Sequence, residues 1–544
     1  MDTDVLIIGA GPTGLMLACQ LAKRNVRVAI VDRNPGPSVQ TKALGVQART
    51  LEIYAWLGIA NQALELGKRA SGASMWVKGK RVARVPLGDI GSDLSPFPFL
   101  LILGQDDNEK LLGGALKERG VEVQWNTALV DLAQTAEGVS ASLKKSDGSV
   151  VEIGARWVAG CDGAHSAVRE LCGIPFSGAP YRHGFYVADT RARGSMAPGQ
   201  LNVYLWRGGF HLFFPMRGED HWRVVGIVPP QLRSQASLDF DAVAPYVLRE
   251  VGTAESGSAL SFQDCSWFST YHVHHRCADR FRDRRCFLLG DAAHIHSPVG
   301  AQGMNTGLQD AYNLAWKLAL VVSGRADEGL LDSYEAERVP VARRLLGTTD
   351  RAFTFLISER WPAEIFRTRI FQRVIAFAMG RERTRKLAFR TISQIGIRYP
   401  GSPLSDPQSP LGTGAPHAGD RFPWLKLRMT RGGGVQDLFS WLDDTRFNLL
   451  LFEQSAPDIG WHRQGDGLLA VHVVPRDPDN DEALAAANIP TPSFYLLRPD
   501  GHVGLAGAEL DLPRLNQYLA ERVKLRRMAR PGRPETEIAT HHAA

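Results

Sequence analysis

The sequence contains few cysteines, and none follows Cys286. The six cysteines lie at positions 19, 161, 172, 265, 277 and 286, and no two of them form a Cys-x-x-Cys pair. This spacing excludes a zinc ribbon and a dense disulfide framework. Scattered thiols are typical of a chain that works in a reducing compartment, so we expect a cytoplasmic protein.

An uninterrupted apolar run long enough to cross a membrane is also missing. Segment 5–22 carries no charged residue, but Gly9, Gly11, Pro12 and Gly14 interrupt it. The residues before it are acidic, which is the wrong flank for a signal peptide. We therefore expect no membrane span, no membrane partner and no targeting segment.

Basic stretches occur late in the chain but lack interleaved aromatic residues. The net charge is +6, and the densest runs lie at 381–390 and 521–533. Nucleic-acid platforms need aromatic rings on which bases stack, so these runs favour solvated helix faces and no nucleic-acid partner. With 44% hydrophobic and 22% charged residues in 544, the chain has ordinary globular composition and enough length for two or three domains.

The first 33 residues show a β-rich run, a glycine turn, an amphipathic helix and a second β-rich run. The turn has the spacing G-x-G-x-x-G at Gly9, Gly11 and Gly14, and Asp32 ends the second run. Glycine there permits a tight turn, a close phosphate and close helix packing, while an acid after the second strand accepts ribose hydroxyls. This context predicts a dinucleotide site.

The pattern predicts an α/β fold, in which a Rossmann-type domain carries an inserted β-sheet domain. The expected parts are a nucleotide-binding part over 1–176, a β-sheet part over 177–275 to which 75–103 contributes, a second nucleotide-binding part with a helical segment over 276–398, a proline- and glycine-rich linker over 399–416, a further domain over 417–528 and a disordered tail over 529–544. Strands alternating with helical patterns indicate the parallel sheet, and short alternating strands indicate the inserted one.

Residues 288–305 read LLGDAAHIHSPVGAQGMN and admit three chemistries. Asp291 is a candidate acid, the glycines suit a ligand close to the backbone, and His294 and His296 suggest a metal. A zinc site would need YHVHHR (271–276) as well, but the spacing is unusual for zinc and no cysteine or carboxylate set completes it. We therefore expect no metal and interpret His294 as structural.

Three motifs, in this order, resemble the group A flavin monooxygenases, which are flavoprotein aromatic hydroxylases with one dinucleotide-binding domain. They are the first glycine turn, CDGAHSAVR at 161–169 and GDAAHIHSPVGAQGMN at 290–305. The resemblance covers residues 1–345. It implies that FAD is the cofactor and that NADPH or NADH is the co-substrate.

The resemblance implies roles for many of the motif residues. The FAD pyrophosphate would be held by Gly9, Gly11, Pro12, Thr13 and Gly14, the adenosine side by Asp32, Arg33 and the backbone near Val130, and the ribityl chain by Gln105 and Asp291. Lys42 and Arg49 match two arginine positions of the family, the first of which would contact a phosphate. Pro298, Gly300, Gln302, Gly303, Met304 and Asn305 would lie against the isoalloxazine, and Asp162 would link FAD binding to nicotinamide use. The family usually has arginine where Lys42 stands, and lysine lacks the bidentate fork.

Substrate is expected between the flavin and the inserted sheet. The candidates for contact are Trp206, His211, Phe213, Phe214 and Pro215, because LWRGGFHLFFP alternates and one face must meet the ring. Ordinary sheet core is the equal alternative for each of these residues. His211 could act as a base toward a phenol, but nothing in the sequence fixes that role, and no catalytic residue is assigned.

The last part of the chain resembles the thioredoxin-like extension of phenol and polyketide hydroxylases. The similar segments are GAPHAGDRFPWL (414–425) and YLLRPDGHVGLAG (495–507). Because this region has no cysteine, a Cys-x-x-Cys redox role is excluded. Packing and oligomerisation, for example as a homodimer, remain as its roles.

The activity implied by the resemblance is hydroxylation of a small phenolic or polyketide-like aromatic substrate. NAD(P)H would reduce FAD, O₂ would give a C4a-hydroperoxide, and one oxygen atom would pass to the ring. Baeyer–Villiger or epoxidising oxygen insertion is the nearest alternative, because the same chemistry serves both. A halogenase is disfavoured because Trp-x-Trp-x-Ile-Pro is absent, and a dehydrogenase or a non-catalytic FAD-binding protein stays open.

Overall fold

The computed structural model describes most of the chain. The described residues are 1–39, 43–86, 90–206, 209–233, 235, 237–252, 259–296, 302–357, 381–408, 411–430, 432–456 and 467–526. Lys42, Pro298, Gly300 and the tail over 529–544 therefore lie outside the described residues.

Within the described ranges, the strands fall into five sheets. They are β1 (Thr3–Ile8), β2 (Val28–Val31), β3 (Gly45–Val46), β4 (Lys68–Ala70), β5 (Gly72–Val77), β6 (Lys80–Pro86), β7 (Leu100–Ile102), β8 (Val123–Gln124), β9 (Thr127–Gln134), β10 (Val139–Lys145), β11 (Val150–Gly160), β12 (Phe176–Arg193), β13 (Leu201–Trp206), β14 (Gly209–Pro215), β15 (His221–Ile227), β16 (Ser261–Ala278), β17 (Arg282–Asp283), β18 (Cys286–Leu288), β19 (His294–Ile295), β20 (Lys426–Arg428), β21 (Val435–Asp437), β22 (Phe447–Phe452), β23 (Leu469–Val474), β24 (Ser493–Leu497) and β25 (Val503–Gly507).

The α-helices separate or cover these sheets. They are α1 (Pro12–Ala22), α2 (Ala48–Leu57), α3 (Ala60–Leu66), α4 (Gln105–Lys117), α5 (Ala167–Leu171), α6 (Phe240–Val251), α7 (Gly303–Val322), α8 (Asp332–Ile357), α9 (Glu382–Ile392), α10 (Pro478–Ala486) and α11 (Leu512–Gln517).

The first sheet has a parallel centre, in the order β18-β11-β1-β2-β8. Strand β1 is a continuous apolar run that is buried along its whole length, as expected of a strand covered on both faces. Helices α1 and α7 pack against each other. Because parallel strands end at one edge, the turns after β1, β11 and β18 lie close together.

The second sheet has eight strands in the order β19-β16-β12-β15-β14-β13-β5-β6. Strands β5 and β6 join it at one edge, whereas β7 pairs with β3 and β4 in a small separate sheet. Helix α6 lies within segment 177–275, where the sequence pattern indicated mostly strands. Its apolar residues Phe240, Val243, Val247 and Val251 recur at helical spacing and are buried against the sheet.

The C-terminal part contains a four-stranded sheet in the order β23-β22-β24-β25. Strands β22 and β23 are parallel, and β24 and β25 are antiparallel neighbours. Helix α10 connects β23 to β24, and the turn over 499–501 joins β24 to β25. The thioredoxin-like character of this part stays a prediction.

Buried charges join the C-terminal part to the helices behind the first sheet. Glu337 of α8 accepts hydrogen bonds from Arg498 Nη1 at 2.6 Å and from Lys317 Nζ at 2.8 Å. Ser402 Oγ donates to the same carboxylate at 2.6 Å. The side chains of all three charged residues are fully buried, so each charge depends on its partners.

We predict that Glu337→Ala lowers the free energy of unfolding by about 3–5 kcal/mol, because it removes the carboxylate shared by two buried cations. Urea denaturation followed by circular dichroism measures the change. Glu482→Ala, at an exposed position of α10, is the matched control and should change stability by less than about 0.5 kcal/mol. Equal effects of the two substitutions would contradict the prediction.

The same carboxylate predicts sensitivity to acid. Burial alone would raise its pKa, but Arg498 and Lys317 more than offset burial and lower the pKa of Glu337 from 4.5 to about 2. Because the folded-state pKa lies below the unfolded value, the stabilisation is complete above pH 4.5 and is lost as pH falls toward 2. The gap in urea midpoint between the native chain and Glu337→Gln should therefore narrow between about pH 6 and about pH 3.

Candidate active site

The turn between β1 and α1 forms one end of a large cavity. Gly9 has a φ of 103°, and a side chain there would overlap the backbone at Cys161. A side chain at Gly14 would collide with the carbonyl oxygen of Gly9, so helix and strand touch at this point. A Cβ at Gly11 would meet no neighbour, which leaves the backbone of the turn open toward the cavity. Such a turn suits a pyrophosphate at a helix N-terminus.

Asp32 ties the end of β2 to this turn. Its Oδ2 accepts a hydrogen bond from Ala10 N at 2.7 Å, and its Oδ1 accepts from Asn34 N at 2.8 Å. Asp32 and Arg33 both line the cavity. A carboxylate held at this place can accept hydrogen bonds from ribose hydroxyls.

The first turn of α4 supplies the adjoining wall. Gln105 lines the cavity, and its Nε2 donates to Glu109 Oε1 at 2.8 Å. Glu109 Oε2 in turn accepts from Ser38 N at 2.7 Å. This chain of contacts holds Gln105 in the cavity wall.

The turn after β11 contributes Asp162 and Gly163 to the cavity wall. Asp162 Oδ2 accepts a hydrogen bond from Val168 N at the start of α5, at 3.2 Å. Burial raises the pKa of Asp162, partly offset by hydrogen bonds from Ser166 and the backbone. Burial thus favours the neutral form of this carboxyl group more than in an exposed aspartate.

Asp291 lies in a 3₁₀ turn (Gly290–Ala292) that follows β18, and its exposed side chain lines the cavity. The turn is held from behind by Asp310, which was not singled out from the sequence. Asp310 Oδ2 accepts from Gly290 N at 3.0 Å and contacts His294 Nε2 at 2.7 Å. Arg338 Nε donates to the other oxygen at 2.6 Å.

These contacts explain His294, which is buried and belongs to the scaffold. Burial would raise the pKa of Asp310, but Arg338 and His294 offset this and lower the pKa, so the carboxylate stays charged.

Among the described residues, no group of three or more His, Cys, Asp or Glu side chains could hold a metal ion. Within the same residues, no helix is both long and apolar enough to cross a membrane.

The start of α7 completes the part of the cavity that contains the glycine turn and Asp32. Gln302, Gly303 and Met304 line the cavity, and a Cβ at Gly303 would lie 3.3 Å from the ring of His296. Asn305 is turned away: its Oδ1 accepts from Gln47 N at 2.8 Å, and its Nδ2 donates to Gly45 O at 2.7 Å. Asn305 therefore secures the chain beside the cavity.

One expected cofactor contact is corrected by its placement. Arg49 lies outside the cavity wall, because its buried guanidinium pairs with Glu52 at 3.0 Å and donates to Asp500 O at 2.6 Å. The motif position of Arg49 did not fix the direction of its side chain. The side chain of Val130 is 45% exposed, and residues 127–129 just before it line the cavity, so the expected contact through the backbone near Val130 stays a prediction.

The second sheet forms the opposite, mostly apolar wall. The residues of its cavity face are Val187, Leu212, Phe214, Arg223, Val225, Trp267, Ser269, Tyr271, His274 and Ile295. Neighbouring side chains alternate between the faces, so only Phe214 of the five expected substrate contacts lines the cavity. Trp206, His211, Phe213 and Pro215 do not belong to this wall.

His211 lies on the face covered by α6 and is fully buried. Its Nδ1 is 2.8 Å from Tyr186 Oη, and its ring stacks on Trp206 at a centroid distance of 5.6 Å. Burial lowers the pKa of His211 to about 3, so the ring is neutral at physiological pH. The interpretation of His211 as a base facing the substrate is therefore wrong, while the core alternative fits it and Phe213.

The cavity has a volume of about 1070 Å³, slightly above the usual range for ligand sites. One half offers an open glycine turn and the carboxylates of Asp32 and Asp291, and the other half offers aliphatic and aromatic side chains. These donors and acceptors fit the phosphates and sugar hydroxyls of FAD. The apolar half leaves space next to them for a ring-shaped compound.

Comparisons with known proteins agree with this geometry. The family model described as FAD binding domain matches residues 2–349. A 6-methylpretetramide 4-monooxygenase of Streptomyces rimosus is 32% identical over 525 residues, which cover 93% of this chain and 90% of the relative. The pentachlorophenol 4-monooxygenase of Sphingobium chlorophenolicum is 34% identical over 355 residues, which cover 64% of each chain.

Among solved structures, a ternary complex of aklavinone-11 hydroxylase with FAD and aklavinone has a TM-score of 0.77 at 25% identity and covers 96% of this chain and 99% of that chain. The OxyS anhydrotetracycline hydroxylase from Streptomyces rimosus has a TM-score of 0.75 at 28% identity, with 96% and 99% covered. The expected α/β fold with an FAD-binding domain is confirmed by these matches. The chain belongs to the FAD-dependent aromatic monooxygenases.

Proposed function

We propose that the chain hydroxylates a phenolic or polyketide-like aromatic compound, using NADPH or NADH and O₂. The observation that carries this proposal is the single cavity that joins a nucleotide half to an apolar half lined by Phe214 and Trp267. Relatives named for tetracycline and pentachlorophenol oxidation support the substrate class. FAD, when bound, would supply electron transfer from the nicotinamide and the activation of O₂.

The side chains of this chain would hold and orient that cofactor. The turn with Gly9, Gly11 and Thr13 would hold the pyrophosphate, and Asp32 would accept ribose hydroxyls. Gln105 and Asp291 would meet the ribityl chain. The first turn of α7, from Gly303, would lie beside the ring system, where helix N–H groups stabilise negative charge that collects on reduction.

The apolar wall would orient the substrate and exclude water. Leu212, Val225 and Val187 form adjacent positions on three neighbouring strands, so they present a continuous surface to a planar ring. Exclusion of water protects reactive intermediates from hydrolysis and strengthens polar contacts inside the cavity. The direction of the substrate relative to the cofactor then decides which ring carbon receives oxygen.

A panel of phenols and polycyclic quinones tests the function directly. Purified enzyme with NADPH or NADH should consume the nicotinamide faster when a substrate is present, and the product should be heavier by one oxygen atom. With ¹⁸O₂, the label should enter the product. Nicotinamide oxidation without an oxygenated product for every compound, or label derived from water, would contradict a monooxygenase.

We predict that Asp291→Ala is purified largely without FAD, because it removes a carboxylate that would accept a ribityl hydroxyl. Loss of a charged hydrogen-bond partner corresponds to about 10- to 100-fold weaker binding. The ratio of flavin to protein absorbance and fluorescence titration with FAD measure the loss. Asp131→Ala, at an exposed position on β9, is the control and should stay yellow. Full flavin occupancy in Asp291→Ala would argue against the proposed site.

We predict that His211→Asn keeps the pH profile of turnover and changes kcat by no more than about twofold, because the ring faces α6 and the cavity lies on the other side of the sheet. Phe214→Ala, three residues along the same strand and in the cavity wall, should raise KM by about tenfold or more. Steady-state kinetics from about pH 6 to about pH 9 distinguishes the two. If the rising or the falling part of the pH profile of turnover disappeared in His211→Asn, the result would support a role of His211 as a base.

A further inference from the structure

An ion pair lies in the apolar wall of the cavity. Arg223 of β15 donates to Asp189 of β12 through Nε and Nη2, each at 2.5 Å from a different carboxylate oxygen. The guanidinium also lies over the ring of Trp267, 5.0 Å from its centroid. Only 2% of the Arg223 side chain is exposed, yet the residue lines the cavity.

The register of the sheet builds this arrangement. Arg223 is paired with Asp189 across β15 and β12, and Asp189 is paired with Trp267 across β12 and β16. Phe214 lies opposite Arg223 on the other side. The four residues thus form one row across four strands, and the next row is Leu212, Val225, Val187 and Ser269.

Stability alone does not explain a charged row beside an apolar one. Arg223 is buried and Asp189 is 22% exposed, so at least the guanidinium loses its hydration, and such a pair is often no more stable than hydrophobic residues of the same volume. Ligand sites, in contrast, use a few fixed polar groups in an apolar wall to orient a ligand. A guanidinium held by a bidentate carboxylate is a rigid, permanently charged receptor for an anionic oxygen.

We propose that Arg223 receives an anionic oxygen of the substrate and that Asp189 acts as a positioning residue that holds the guanidinium. This inference rests on the proposed function and narrows its substrate class. The substrate is an aromatic compound with an acidic hydroxyl, a phenol or the enol of a 1,3-dicarbonyl, and it binds as the anion. A phenolate or enolate is also more electron-rich at the ring than its neutral form, which suits attack on an electrophilic oxygen.

Other titratable groups share the cavity and bear on its charge. They are Tyr271 and His274 on β16, and Asp32, Arg33, Glu109, Cys161, Asp162, His165, Asp291 and His296 in the rest of the wall. Burial raises the pKa of Tyr271 to about 12, although the charge of Arg223 counteracts burial. Tyr271 therefore stays protonated at neutral pH and can donate a hydrogen bond to the same oxygen.

The test uses FAD-loaded enzyme without nicotinamide, with 4-nitrophenol as the probe, whose anion absorbs visible light. In the native enzyme, the apparent pKa of bound 4-nitrophenol should fall by at least about one unit below that of the free compound, which is a tenfold preference for the anion. 4-Nitroanisole, which cannot ionise, should bind at least about tenfold more weakly than the anion. In Arg223→Met, both differences should disappear.

Three further variants separate charge from folding. Arg223→Met with Asp189→Asn leaves no unpaired carboxylate in the wall and should behave like Arg223→Met. Asp189→Asn alone should keep part of the pKa shift, because the cation stays but is less fixed. Arg193→Met is the matched control: Arg193 of β12 pairs with Asp220 and is 65% exposed, so its loss should leave the titration unchanged.

Two outcomes would overturn the inference: an unshifted pKa of the probe in the native enzyme, or a shift that persists in Arg223→Met. Visible absorbance of the flavin and a product heavier by one oxygen atom report on the proposed function independently. Enzyme that is yellow and oxygenates a phenol but binds the probe without preference for its anion disproves only the Arg223 inference. Enzyme that lacks flavin disproves the proposed function.

Discussion

The cavity depends on how closely α1 approaches the ends of the parallel strands. Thr13 of α1 occupies the space that side chains at Gly290 and Gly307 would fill: a Cβ at Gly290 would lie 2.7 Å from its Oγ1. A Cβ at Gly307 would also lie 3.1 Å from the Cα of Gly290. The first glycine turn, the Asp291 turn and α7 therefore meet around the side chain of Thr13. This contact brings the turn at Gly9 and the turn at Asp291 together at one site.

Asp310 supplies the electrostatic counterpart of that steric contact. Its carboxylate joins the Gly290 backbone, His294 and Arg338, so one buried charge fixes the turn that presents Asp291. Removing this buried carboxylate would strongly destabilise the turn, because the Gly290 backbone, His294 and Arg338 would each lose a hydrogen-bond partner. Asp291 can then face a ligand in the cavity, whereas Asp310, His294 and Arg338 hold the turn in place from behind.

The sequence predicted the backbone of the site better than its side chains. Glycine spacing and acids at strand ends have few structural explanations, so Gly9, Asp32 and Asp291 were located correctly at the cavity. The alternation of side chains along β14 does not show which face of the sheet lines the cavity, because α6 covers the other face with an equally apolar surface. For this reason His211 was expected on the substrate side but lies on the α6 side. Asp310 and Arg338 could not be recognised from a local sequence motif, because their partners lie in distant segments of the chain.

The cysteine-free C-terminal part is coupled to the cavity through its neighbour α2. Arg49 holds Asp500 from that part, and Thr50, the next residue, donates to Asn305 at 2.7 Å. Arg421 donates to Glu52 on the same helix at 2.9 Å. Helix α2 is thus fixed on one side by the C-terminal part and on the other by the first turn of α7. Destabilising the C-terminal part would remove buried hydrogen-bond partners from α2, and α2 in turn contacts Asn305 beside the cavity. The C-terminal part therefore stabilises the site through packing contacts and not through a cysteine redox pair.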